Sequence, residues 1–142
     1  MKRIKSFKLF ENYDYPDKFI EEILFDITDS DDIPLAIETT NDRCLILLGD
    51  EDNPIAKDIP LHLYIDNLTS LHEYMLDEGW TLRNIACWIK PAKPLIGGVR
   101  PITAGDFDEF LKKIEEVKIW NEKHPPIEWK TFKLVDICYE KS

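Results

Sequence analysis

Phe107, Phe110, Leu111, Ile114 and Val117 recur at intervals of three and four, so one apolar stripe runs along a helix predicted from about Ala104 to Lys123. The charges agree with that direction. Asp106, Asp108 and Glu109 stand at the N-terminal end, where the helix dipole is positive, and Lys118, Lys123 and His124 at the other. Asp108 with Lys112 and Glu109 with Lys113 form i,i+4 pairs on the exposed side. Pro125-Pro126 then stops the helix, and Ile127 to Tyr139 turns aromatic and β-branched, the composition of a strand. Its alternation changes phase near Leu134-Val135, which predicts either two strands or one with a bulge. A helix with one apolar stripe must cover something, and a half-buried sheet is what the neighbouring segment supplies.

The rest of the chain fits the same architecture. Arg3 to Phe10 alternates partially and carries lysines that suit an edge strand, and Asn12 to Pro16 turns the chain. Ile20, Ile23, Leu24 and Ile27 predict a helix from about Asp17 to Thr28, although Ile23, Phe25 and Ile27 also alternate as a strand would. After Asp29-Ser30-Asp31-Asp32, the segments Pro34 to Thr40 and Arg43 to Leu48 read as a hairpin about Asn41-Asp42. A loop from Gly49 to Pro60 leads to an expected third strand, Leu61 to Ile65. Ser70 and Glu73 have capping-box spacing before a short helix from Leu71 to Glu78, with Gly79 as its left-handed stop. Trp80 to Lys90 fits both periods, and we read it as strand. Pro91, Pro94, Pro101 and Gly97-Gly98 make Lys90 to Thr103 a long irregular segment. The expectation is one α+β domain over 1–142, with a mixed or mainly antiparallel sheet of five or six strands and two or three helices.

Composition supports a chain that folds alone and stays inside the cell. The hydrophobic fraction is 44%, too high for a disordered chain in spite of the charge. Cys44, Cys87 and Cys138 are odd in number, far apart and flanked by apolar residues, which suits reduced, buried thiols in a cytoplasm better than a disulfide framework. The basic start, Met1-Lys2-Arg3-Ile4-Lys5, is followed by polar residues instead of a signal-peptide core, and no apolar run approaches a membrane span. Fourteen Lys against four Arg point to an AT-rich bacterial or phage genome.

Charge is distributed unevenly. Residues 11–66 hold sixteen acidic and three basic groups, whereas residues 1–10 and 79–105 hold four basic groups each and no acid. Such an acidic stretch repels phosphate, which argues against direct nucleic-acid binding, and steers a basic protein toward itself. Asp29, Asp31, Asp32, Asp50, Glu51 and Asp52 are the expected partner-binding residues; a solvated face is the plain alternative. In the acid-free stretch, Gly97, Gly98 and Arg100 with Arg83 could hold a phosphate or carboxylate, but the spacing matches no phosphate-loop or dinucleotide fingerprint.

Other chemistries find less support. The acidic runs lack the turn Gly and distal Glu of a calcium loop, and His62, His72 and His124 are too dispersed for a metal motif. No serine or cysteine carries a nucleophile motif, and twenty-eight carboxylates single out no catalytic pair. Trp80, Trp88, Trp120 and Trp129 are expected mainly as core filling, with Trp120 and Trp129 placed where partial exposure would suit an interface. The expectation is therefore a protein without cofactor or metal that binds a basic protein, as a bacterial immunity protein binds a nuclease-type toxin. A phage anti-defence inhibitor would use the same physics. A small anion-binding enzyme or sensor built on the Gly97-Gly98-Arg100 loop is the reading from a different class.

Overall fold

The computed structural model describes residues 16–50, 52, 58–91 and 100–141. The edge strand expected over Arg3 to Phe10 lies outside the described residues, as do Glu51, Gly97 and Gly98.

In chain order the elements are α1 (Asp17–Ile23), α2 (Phe25–Ser30), β1 (Leu35–Thr39), β2 (Arg43–Leu48), a 3-10 turn (Leu61–Leu63), α3 (Ile65–Asp77), β3 (Trp80–Pro91), β4 (Arg100–Ala104), α4 (Phe107–Lys123), a second 3-10 turn (Pro126–Glu128) and β5 (Lys130–Lys141). The strands form one antiparallel sheet in the order β1-β2-β5-β3-β4, so the last strand enters the middle of the sheet. This is the expected α+β fold, with an antiparallel sheet and four α-helices among the described residues.

Register explains why the sheet has one apolar face. Ile37, Ile46, Ile137, Ile85 and Ala104 lie directly across from one another on all five strands, and every one is buried. Two positions away, Leu35, Leu48, Val135 and Cys87 form a parallel buried row. Because side chains alternate faces along a strand, rows two residues apart point the same way. The helices cover this face with Ile20, Leu24 and Ile27, with Leu68, Leu71 and Met75, and with Phe110 and Ile114, all within one core cluster.

The hairpin, the strand over Trp80 to Lys90 and the long helix stand where expected. Asp106 caps α4 by accepting the Glu109 N–H at 2.8 Å, and Glu109 reaches back to the Gly105 N–H at 3.0 Å. The phase change in the tail is one continuous strand, with Trp88 opposite Leu134 and Ile89 opposite Phe132, so Lys133 is the extra residue of a bulge. The first helix divides at Leu24, whose ψ of 10° leaves the helical range.

Three expectations are corrected. Leu61 to Ile65 is no strand: the chain makes a 3-10 turn there and enters α3 at Ile65. The apparent alternation of Leu61, Leu63 and Ile65 concealed the spacing of Tyr64, Leu68, Leu71 and Met75, all buried, while Leu63 is 64% exposed. The helix expected from Leu71 therefore begins six residues earlier, and Ser70 sits exposed inside it instead of capping it. Its end is as expected, with Gly79 at φ 91°. Finally, the segment read as irregular from Lys90 to Thr103 contains β4, which pairs with β3 from Arg100 to Ala104. Pro101 can occupy this strand because β4 has one neighbour among the described strands, so one side needs no N–H.

Candidate functional site

The β1–β2 hairpin brings the two acidic runs to one end of the sheet. Leu35 pairs with Leu48, and just beyond them the Gly49 N–H donates to the Pro34 carbonyl at 2.9 Å, so the first run leads into, and Asp50 leads out of, the same hairpin end. Asp29 is exposed on α2, and Asp32 is exposed with φ 53°, a left-handed conformation that Asp tolerates better than most residues. Asp50 accepts the Asp52 N–H at 3.0 Å, which ties the start of the second run into a local turn.

Where this loop leaves and rejoins the sheet is tightly determined. Gly49 has φ 117°, and a Cβ there would lie 2.7 Å from Leu134 Cδ1 and 2.8 Å from the Lys133 carbonyl oxygen. Only glycine fits. At the other end Ile59 bridges Phe132, its N–H donating to the Phe132 carbonyl at 2.8 Å, and Asp58 pairs with the buried Lys133. Both ends of the acidic loop are thus pinned to the bulged part of β5.

Beside that bulge lies a groove of about 520 Å³. One wall is Asp31, Asp58, Pro60 and His62; the facing wall is the second half of α4, with Val117, Lys118, Asn121 and Glu122; Ile59 and Phe132 lie along the groove and Trp129 with Lys130 line its β5 end. Asp31, from the first acidic run, accepts a hydrogen bond from the Tyr64 hydroxyl, and that bond, ahead of burial, pushes the phenol up to about 12. Tyr64 is consequently neutral at physiological pH. Glu122 is bridged by Lys118 at 3.1 Å, a bond that raises the lysine pKa.

Side chains bonded to backbone make the corner that carries Trp129 rigid. Asn121 donates to the Lys130 carbonyl at 2.9 Å and accepts the Lys130 N–H at 2.8 Å. The Trp120 indole N–H donates to the Glu128 carbonyl at 2.8 Å, and that of Trp129 to the His124 carbonyl at 2.9 Å. His124 stacks on Trp120 at 3.6 Å between centroids while its Nδ1 lies 2.8 Å from the Trp120 carbonyl oxygen. Since a carbonyl only accepts, Nδ1 carries the proton. The Lys130 ammonium lies over the Trp120 ring, 4.1 Å from its centroid, a cation–π contact. These bonds leave Trp129 41% exposed with its indole anchored, so Trp120 and Trp129 are not the core filling expected of them, whereas Trp80 is.

The alternative anion site is less well assembled. Arg83 is paired with Glu140 at 3.1 Å, near the start of β3, whereas Arg100 lies opposite Ile89. Six residues of strand, about 20 Å, separate the two positions. Burial holds the thiols of Cys44 and Cys87 up at about 12 and raises that of Cys138 also, so none supplies thiolate at neutral pH. Among the described residues no three His, Cys, Asp or Glu side chains gather as a metal site would require, and no helix is long and apolar enough to cross a membrane.

Asp58, His62, Asn121 and Lys130 were not picked out from the sequence. Nothing local marks them, because the groove joins residues up to a hundred positions apart. Asp31, within the first acidic run, and Trp129, just beyond Pro125-Pro126, had readable signals. No family model, curated protein or solved structure matches this chain.

Proposed function

We propose that this chain is a non-enzymatic binding protein that captures a basic protein, in the way an immunity factor neutralises a nuclease-type toxin. The observation that carries the reading is the hairpin register. It makes the first acidic run end, and the second begin, at the same end of the hairpin, where Gly49 bonds to Pro34; Asp29, Asp31 and Asp32 lead into that end, Asp50 and Asp52 leave it with Glu51 between them in sequence, and Asp31 lines a groove. Carboxylates massed in this way pair with the Lys and Arg that a nuclease uses to grip phosphate. They also accelerate encounter with such a surface and repel nucleic acid itself. The rigid, partly exposed Trp129 adds the aromatic anchor on which interfaces depend energetically. Buried, protonated thiols offer no nucleophile to a competing enzymatic reading.

The test is capture of host proteins by the wild-type chain and by the double variant Asp29→Lys/Asp52→Lys, which changes one exposed residue in each acidic run. A basic protein retained by the wild type at low salt and lost by the variant is expected. Equal retention by both chains, or retained proteins that are acidic, would contradict the reading.

A further inference from the structure

We infer that the groove between α4 and the 58–62 segment seats a short arginine-bearing stretch of that basic partner; this rests on the binding reading above and names the chemistry of one subsite.

A groove of about 520 Å³ exceeds a single side chain and suits a few residues of extended peptide. Its apolar lining, Ile59, Val117 and Phe132, matches the methylene stem of a long cationic side chain, which lies along apolar surface while its head stays polar. The charged lining then selects the head group. Asp58 is joined to Lys133 and Glu122 to Lys118, so those carboxylates are already matched by cations, and the remaining lining cation, Lys130, is engaged over the Trp120 ring. Asp31 has a different partner, the neutral hydroxyl of Tyr64, which leaves its negative charge uncompensated by that bond. Asp29 and Asp32, two and one residues from Asp31 in the chain, are exposed and add negative charge to that segment. An anionic ligand would meet the Asp31 wall unfavourably. A cation is attracted to it.

Arginine fits better than lysine. A guanidinium presents a planar fork of donors to a carboxylate and also stacks on an aromatic face. The groove offers both kinds of surface: Asp31 on one wall and Trp129 at the β5 end, with the indole N–H fixed on the His124 carbonyl so that the ring is held before the partner arrives. A partner presenting arginine therefore loses little freedom on this side of the interface.

The test uses the whole chain, isotopically labelled, titrated with N-acetyl-arginine amide and, separately, with its uncharged citrulline counterpart, while backbone and indole N–H signals are followed by NMR. The expected result is a saturable shift of the Trp129 indole and of amides over 58–62 and 117–122 with the arginine probe, at least fivefold weaker with citrulline. Asp31→Asn, which keeps an acceptor for Tyr64, and Trp129→Leu should each weaken the arginine response at least threefold while the remaining spectrum keeps its dispersion. Equal responses to the two probes would overturn the inference, since charge would then not be read. So would arginine shifts confined to 29–32 and 50–52, or no saturable shift. In those cases capture of a basic protein that depends on Asp29 and Asp52 leaves the broader binding reading standing, whereas loss of that capture as well removes both.

Discussion

Asn121 takes the place of a missing strand neighbour. Beyond the end of β2, the edge of β5 is met first by Ile59 at Phe132 and then by the Asn121 side chain, whose amide makes both bonds to Lys130 that a paired strand residue would make. Asn121→Ala leaves a partly buried N–H and C=O without these partners. It should lower unfolding free energy by about 1–3 kcal/mol in a denaturant titration, and it should broaden the Trp129 signals by loosening the corner. His72 carries a second residue-scale consequence. Its ring stacks on Phe107 at 4.3 Å and its Nδ1 lies 2.9 Å from the Tyr139 hydroxyl. Burial lowers its pKa, against the opposing pull of Asp108 and Glu73. The unfolded chain therefore takes up this proton more readily than the folded one. The contribution is fully present above about pH 6.5, the unfolded value, and is lost as pH falls from there through the folded pKa. His72→Gln should accordingly show a smaller drop in denaturation midpoint between pH 7.5 and 5.5 than the wild type.

At the scale of elements, α3 and α4 differ in how they begin, and paired substitutions separate them. Asp106 accepts the Glu109 N–H and holds the first turn of α4, so Asp106→Ala should cost about 1 kcal/mol of stability. Ser70 lies within α3, exposed, so Ser70→Ala should be neutral or stabilise by up to about 0.5 kcal/mol, where loss of a capping residue would have destabilised. Thermal unfolding of the two variants side by side checks both. The contrast also shows what could be read from sequence. The stripe Phe107 to Val117 and the turn at Asn41-Asp42 are local signals, and both elements stand where expected. The strand expected at Leu61 to Ile65 failed because five residues of alternation cannot be told from the first turn of a helix whose stripe continues to Met75. The strand β4 was hidden by Pro101, which is admitted because β4 has one neighbour among the described strands. The bulge at Lys133 was visible as a change of phase, but its consequence was not. By displacing the β5 register it lets Ile59 and Asp58 attach there and so shapes the groove.

For the whole molecule, the hairpin ties the uneven charge of the sequence to one place in the fold, since both acidic runs border its β1–β2 end. The acidic runs are about twenty residues apart in the chain, and the pairing of Leu35 with Leu48 sets Pro34, just after the first, against Gly49, just before the second. That pairing was readable from the hairpin signal. The groove was not, since Asp31, Asp58, Asn121 and Trp129 converge only once β5 has entered the middle of the sheet. The proposed binding surface, acting by long-range attraction and a rigid aromatic anchor, would have a kinetic signature. Attraction between exposed charges is screened over about 8 Å at physiological ionic strength, whereas contacts within a groove are screened much less. Salt should therefore act mainly on the rate of association and only weakly on dissociation. The most direct measurement is the association rate with the captured basic protein as a function of ionic strength, for the wild type and for Asp29→Lys/Asp52→Lys. The expected result is a fall of about tenfold or more for the wild type between 50 and 500 mM salt, with a slower low-salt rate and a flatter dependence for the variant. A wild-type rate indifferent to salt, or identical curves for the two chains, would contradict it.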